Sequence, residues 1–136
     1  MSRDRGSITI WMLGLSLLLL VFGGLSLDYW RALAAQRELA AVADSAALAG
    51  ASGVDEPRYR ETGDLVIDPM RAEDLVTESV ELQGVEVTAI TVEADAGSVT
   101  VTLTASVDLG LLGVFVDDDT PFTVRAIATA LPVVVP

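Results

Sequence analysis

The chain has 136 residues, a formal net charge of −12, and neither cysteine nor histidine. Disulfide stapling, thiolate nucleophiles, zinc sites and histidine acid–base chemistry are therefore excluded. Arg3, Arg5, Arg31 and Arg37 balance Asp4, Asp28, Glu38 and Asp44, so the whole negative charge falls after residue 50. A domain that acidic repels nucleic acid and anionic lipid heads and reads as a solvated, self-repelling surface.

Residues 1–7, MSRDRGS, form a short polar tail. Ile8 to Leu27, ITIWMLGLSLLLLVFGGLSL, contains no charge. At 1.5 Å per residue a helix of roughly 20 residues matches the hydrocarbon thickness of a bilayer. The flanks fit a transmembrane helix: Arg3 and Arg5 precede it, Trp11 lies near its start, and Tyr29 and Trp30 follow it at the headgroup level. The arginine side is expected in the cytoplasm, with everything after Asp28 outside. A cleaved signal peptide has a shorter apolar run followed by a small-x-small site, so a retained anchor is expected. Thr9, Ser16 and Ser26 can bond back to the preceding turn, and Gly23-Gly24 offers a close-approach point without the GxxxG spacing.

Asp28 to Gly50 has no proline and is rich in helix formers, so the span and this segment are expected to form one rod about 64 Å long. Leu33, Leu39, Val42 and Leu48 are separated by alanines, which makes the rod narrow. It suits packing against the chain's own sheet on one face and neighbouring helices on another. Gly50-Ala51-Ser52-Gly53 ends it.

Residues 54–68 mix charges with Pro57 and Gly63, lack a period, and are expected to be a surface loop. Asp68-Pro69 reads as an N-cap and first helical position. Ala72, Leu75, Val76, Ser79 and Val80 then recur at helical spacing, in a short amphipathic helix that closes near Gly84. Residues 85–94 are β-prone, with a change of apolar phase that predicts a bulge or kink near Ala89. Asp95-Ala96-Gly97-Ser98 supplies a turn. Two clean alternations follow, Val99 to Val107 and Phe122 to Ala130, giving three antiparallel strands with one covered face.

Leu109 to Val116, LGLLGVFV, links two strands yet is wholly apolar, so it either folds over the sheet, the expected outcome, or contacts a partner or the membrane. Asp117-Asp118-Asp119 invites a calcium reading, but the glycine and downstream glutamate of a calcium loop are missing and a solvated turn is expected. Serine has no usual base here, no phosphate-cradling glycine loop occurs, and the acids lack an aromatic sugar-binding context. No enzyme, cofactor or small-molecule substrate is expected.

The fold class that results is α+β and pilin-like, with a long N-terminal helix, a short helix and a three-stranded antiparallel sheet. Its parts are a cytoplasmic tail (1–7), a transmembrane helix (8–27), its extracytoplasmic continuation (28–53) and a small α+β domain (54–136).

The run Arg5-Gly6-Ser7-Ile8-Thr9-Ile10-Trp11, the span, Leu27-Asp28-Tyr29 and the stretch Ala43 to Ala51, ADSAALAGA, resemble the N-terminal region of the TadE/TadG-like proteins of Flp (tight adherence) pilus systems. The resemblance covers about the first 51 residues. It implies a minor pilin-like or pseudopilin-like component of a bacterial surface fibre or related secretion system. The implied partners are membrane lipid, like subunits and assembly-platform proteins. Gly6-Ser7 is the position of prepilin processing in such proteins. Trp11 stands where processed members carry a glutamate, so an unprocessed, TadG-like role in the cytoplasmic membrane is preferred. The expected interface comprises Gly23, Gly24, Asp28, Leu33, Leu39, Val42 and Leu48. Two alternatives predict different geometry. A bitopic ligand-binding or sensing module needs an apolar concavity in the outer domain, and an anchored hydrolase needs converging carboxylates.

Overall fold

The computed structural model describes residues 4–110, 113 and 121–133, with side chains from Ser7 onward. Among the described residues six elements follow in order: α1 (Asp4–Ala51), α2 (Glu56–Thr62), α3 (Pro69–Gln83), β1 (Ala89–Ala94), β2 (Val99–Val107) and β3 (Phe122–Ala130). The strands form an antiparallel meander in the order β1-β2-β3, so the α+β architecture is as the sequence predicts.

The span and the alanine-rich segment form one helix of 48 residues, which at 1.5 Å per residue is about 72 Å long. It starts at Asp4, within the stretch read as a polar tail, because those residues add to a helix already nucleated by the span and need no core of their own. Beyond the span, one stripe of α1 turns inward: Leu39, Val42, Ala43, Ala46, Ala47 and Gly50 are all buried. Their spacing is the 3.6-residue period of a helix face laid on a sheet. The sheet meets it with Val99, Val101, Leu103 and Ala105 of β2 and Val124, Ala126, Ala128 and Ala130 of β3, while α3 contributes Ala72, Val76 and Val80. Small side chains on both surfaces let helix and sheet backbones come close. Thr100, Thr102 and Thr104 face the other way with Arg125, Ile127 and Thr129, and the Thr100 and Thr129 hydroxyls lie 2.9 Å apart across the strands.

Helix α3 is capped at both ends by the chemistry its sequence announces. Asp68 accepts hydrogen bonds from the Met70 and Arg71 amides, Pro69 opens the helix, and Gly84 closes it at φ 64°. At the β1–β2 turn, the Gly97 and Ser98 amides donate to Asp95 Oδ1 at 2.8 and 2.7 Å. Those bonds hold the Asp95 carboxyl below its ordinary pKa. Their stabilisation is therefore present above the unfolded carboxylate pKa and is lost as pH falls through the lowered value.

One local expectation is corrected. The stretch 54–68 is not an irregular loop, since it contains α2 and an antiparallel bridge between Val54 and Ile67. Asp55 caps α2 through the Arg58 amide, Pro57 lies in its first turn, and Gly63 ends it in the left-handed region at φ 77°. These are the signals read correctly at Asp68-Pro69 and Gly84. They are masked here because α2 buries no residue and so has no apolar period. The kink expected near Ala89 is present: the backbone bends at Thr88, whose amide donates to the Thr104 carbonyl at 2.7 Å beside the Ala89–Thr104 pair that opens β1. Pairing runs unbroken from Ala89–Thr104 to Ala94–Val99. The phase change arises because Val85 and Val87 pack against the core before the strand starts.

Gly50 is where α1 passes closest to its neighbours. A Cβ there would lie 2.7 Å from Val76 Cγ2 and 3.0 Å from Val99 Cγ1. Alanine at this position gains helix propensity of about 1 kcal/mol, but overpacking costs about 1–3 kcal/mol. Gly50→Ala is therefore expected to lower the thermal midpoint of the full chain in detergent. Gly23→Ala, where a Cβ meets nothing within 4 Å, is expected not to.

Candidate interface along the long helix

Over Ser7–Ala51, α1 carries a window long and apolar enough to cross a membrane, and none of that window is buried against the rest of the chain. Leu13, Leu17, Leu19, Leu20 and Phe22 are all exposed, and Trp11 is 78% exposed. An exposed apolar surface of this length suggests lipid or other helices as its surroundings. Ser26 donates its hydroxyl to the Phe22 carbonyl at 2.8 Å, satisfying that polar group inside the helix. On one face the missing side chain of Gly14 leaves a groove of about 370 Å³ lined by Ile10, Trp11, Gly14, Leu15 and Leu18. Sequence reasoning passed over Gly14; its signal is a lone glycine set among large apolar residues in a helix.

The residues singled out from the sequence divide between two faces. Leu39 and Val42 lie in the chain's own core, at 1% and 3% exposure. Asp28 is buried, Gly24 and Leu33 are half-buried, and Gly23 is exposed with open space around it. Leu48 is 65% exposed, on the side of α1 facing away from the sheet. Gly6 and Ser7 are both inside α1, close to its start. Of the apolar connection 109–116, only Leu109, Gly110 and Gly113 fall within the described residues, and Asp117 to Asp119 fall outside them.

Among the described residues of this helix Asp28 is the buried charged one, at 1% exposure. A carboxylate removed from water needs donors. The Gly110 amide donates to its Oδ1 at 2.7 Å, and the Arg31 guanidinium lies 3.7 Å from the same oxygen. A helix residue one position past the span is thus bonded to the chain immediately after β2, across 82 positions of sequence. The fit is close: a Cβ on Gly110 would lie 3.2 Å from Asp28 Oδ1 and 3.0 Å from Arg31 Nη1. Among the described residues no group of three or more acidic side chains is placed to hold a metal ion.

Residues 6–53 match the Tad family model, the TadE/G-like proteins of Flp pilus assembly. That range starts at the glycine before the span and ends at the glycine beyond α1, so it comprises nearly all of the long helix and none of the sheet. No curated protein and no solved structure matches the chain significantly.

Removing the Asp28 carboxylate loses a hydrogen bond to a charged group, worth about 1.5–3 kcal/mol. Asp28→Ala is expected to lower the unfolding midpoint and to speed hydrogen exchange at Gly110. Asp28→Asn keeps an acceptor oxygen and is expected to lose less on both measures.

Proposed function

We propose, from the premise that residues 6–53 are a TadE/G-like Flp pilus-assembly segment, that this chain is a membrane-anchored, minor pilin-like component of such an assembly. The N-terminus lies in the cytoplasm and the α+β domain outside the cytoplasmic membrane. The observation that carries the reading is the division of α1 into two surfaces. Its outer half is buried on one face by the chain's own sheet, whereas residues 7–20 are exposed all round and largely apolar.

A helix of this kind can exchange lipid for like helices at little cost, because packing in a bilayer depends on shape and close approach more than on burial from water. The Gly14 groove and the open backbone at Gly23 are where a neighbouring helix would approach closest. The two lie on opposite faces of α1, nine residues and about half a rotation apart, and Leu48 with the outward Ala41 continues the Gly23 face above the membrane. In this reading the domain decorates the outside of the assembly, and its acidity keeps it soluble and apart from anionic lipid. The Gly6–Ser7 bond remains uncut, since Trp11 replaces the glutamate of processed members and the bond is held in helical backbone. The protein acts by assembly and not by catalysis.

Arginine at the centre of a span costs about 2.5–3.5 kcal/mol on insertion scales. Leu19→Arg is expected to shift the protein out of the carbonate-resistant membrane fraction. Retention of this variant at the level of the native chain would contradict the proposal.

A further inference from the structure

The domain does not stand clear of the span. Gly50 of α1 lies against Val99 at the start of β2, and Asp28 of α1 is bonded to Gly110 just after its end. The helix covers about 33 Å between those two points at 1.5 Å per residue. The chain from Val99 to Gly110 covers on the order of 36 Å at 3.3 Å per residue. Strand and helix therefore run side by side, and the β2–β3 end of the sheet arrives at the level where the apolar span begins. Burial continues below that level: Val21, Gly24 and Leu25, on the same face of α1 as Asp28, are half-buried, although they belong to the uncharged stretch. Phe122, paired with Val107 at this end, continues the inward row of β3, yet it is 47% exposed where Val124 is 8%. Tyr29 and Trp30 are exposed at the same height.

We propose that the β2–β3 end of the domain is a second membrane contact, in which Phe122 and Leu109 enter the outer headgroup layer beside Tyr29 and Trp30. The proposal rests on the membrane-anchored reading and adds where the domain sits. Continuity with the span selects lipid as the occupant, because the surface is an extension of the helix already in contact with it. The chemistry favours zwitterionic headgroups. Arg31, whose side chain is 60% exposed, offers donors to phosphate. The exposed Asp108 at the same end and the net charge of −12 disfavour an anionic surface. With one helix alone the domain could swing about its anchor. A second contact, coupled through the Asp28–Gly110 bond, fixes its tilt.

The absence of native cysteine makes the test direct. Leu15→Cys, Leu109→Cys, Phe122→Cys and Leu82→Cys variants of the full chain are labelled with an environment-sensitive fluorophore in phosphatidylcholine vesicles. Each is quenched either by a nitroxide carried on the lipid near the headgroup or by aqueous iodide. The expected result is strong lipid-borne quenching at positions 109 and 122, with iodide quenching lost there but retained at Leu82, a residue on α3 that is 80% exposed. Iodide quenching at positions 109 and 122 equal to that at 82, with position 15 shielded from iodide, overturns the second contact and leaves the anchor standing. Shielding of 109 and 122 from both quenchers overturns it in favour of a protein contact. Iodide access at position 15 overturns the anchor and the second contact together.

Discussion

In the membrane-anchored reading one helix has to satisfy two solvents, and the burial of Asp28 marks the place where it passes from one to the other. Above that residue, α1 needs a single apolar stripe, because a sheet covers one side and water the other. Below it the helix must be apolar all round. The Gly110 amide and the Arg31 guanidinium meet the buried carboxylate at the junction and offset the cost of its burial. The Gly110 contact ties the strand connection to the helix. The same bond that offsets the cost of burying Asp28 sets the height of the domain on its rod.

The packing above the junction follows from small side chains. Alanines of α1 face alanines of β3, and Gly50 and Gly53 let α3 and β2 approach the helix end to within contact of the backbone. Such a core buries modest apolar area per residue, so its stability depends on close fit more than on bulk. Caps at Asp55, Asp68, Gly63 and Gly84 and the Asp95 turn fix where each element starts and stops. The resulting domain is narrow and lies along the helix, a shape that leaves the far side of α1 open for neighbours.

Much of this was legible in the sequence wherever burial imposes a period. The span was legible by its length, α3 by its cap and 72–76–80 spacing, and β2 and β3 by alternation. Helix α2 was illegible because it buries nothing, although Asp55, Pro57 and Gly63 carried its caps. The buried face of α1 was illegible for the opposite reason. Alanine occurs on every side of residues 28–50, so the sequence offered no contrast to separate Leu39 and Val42, which face the sheet, from Leu48, which faces away. The Asp28–Gly110 bond could not be foreseen, since an acid at the end of a span reads as a solvated boundary charge until the fold brings its distant partner.

The central claim is that α1 holds the acidic domain on the outer side of a membrane. Cysteine accessibility in intact cells tests it most directly, using Leu82→Cys in the outer domain and Ser2→Cys ahead of the span, probed with a membrane-impermeant maleimide. The account predicts labelling at position 82 without lysis, labelling at position 2 only after lysis, and recovery of both variants with the membranes. Labelling at position 82 only after lysis, or recovery of either variant in the soluble fraction, would contradict it.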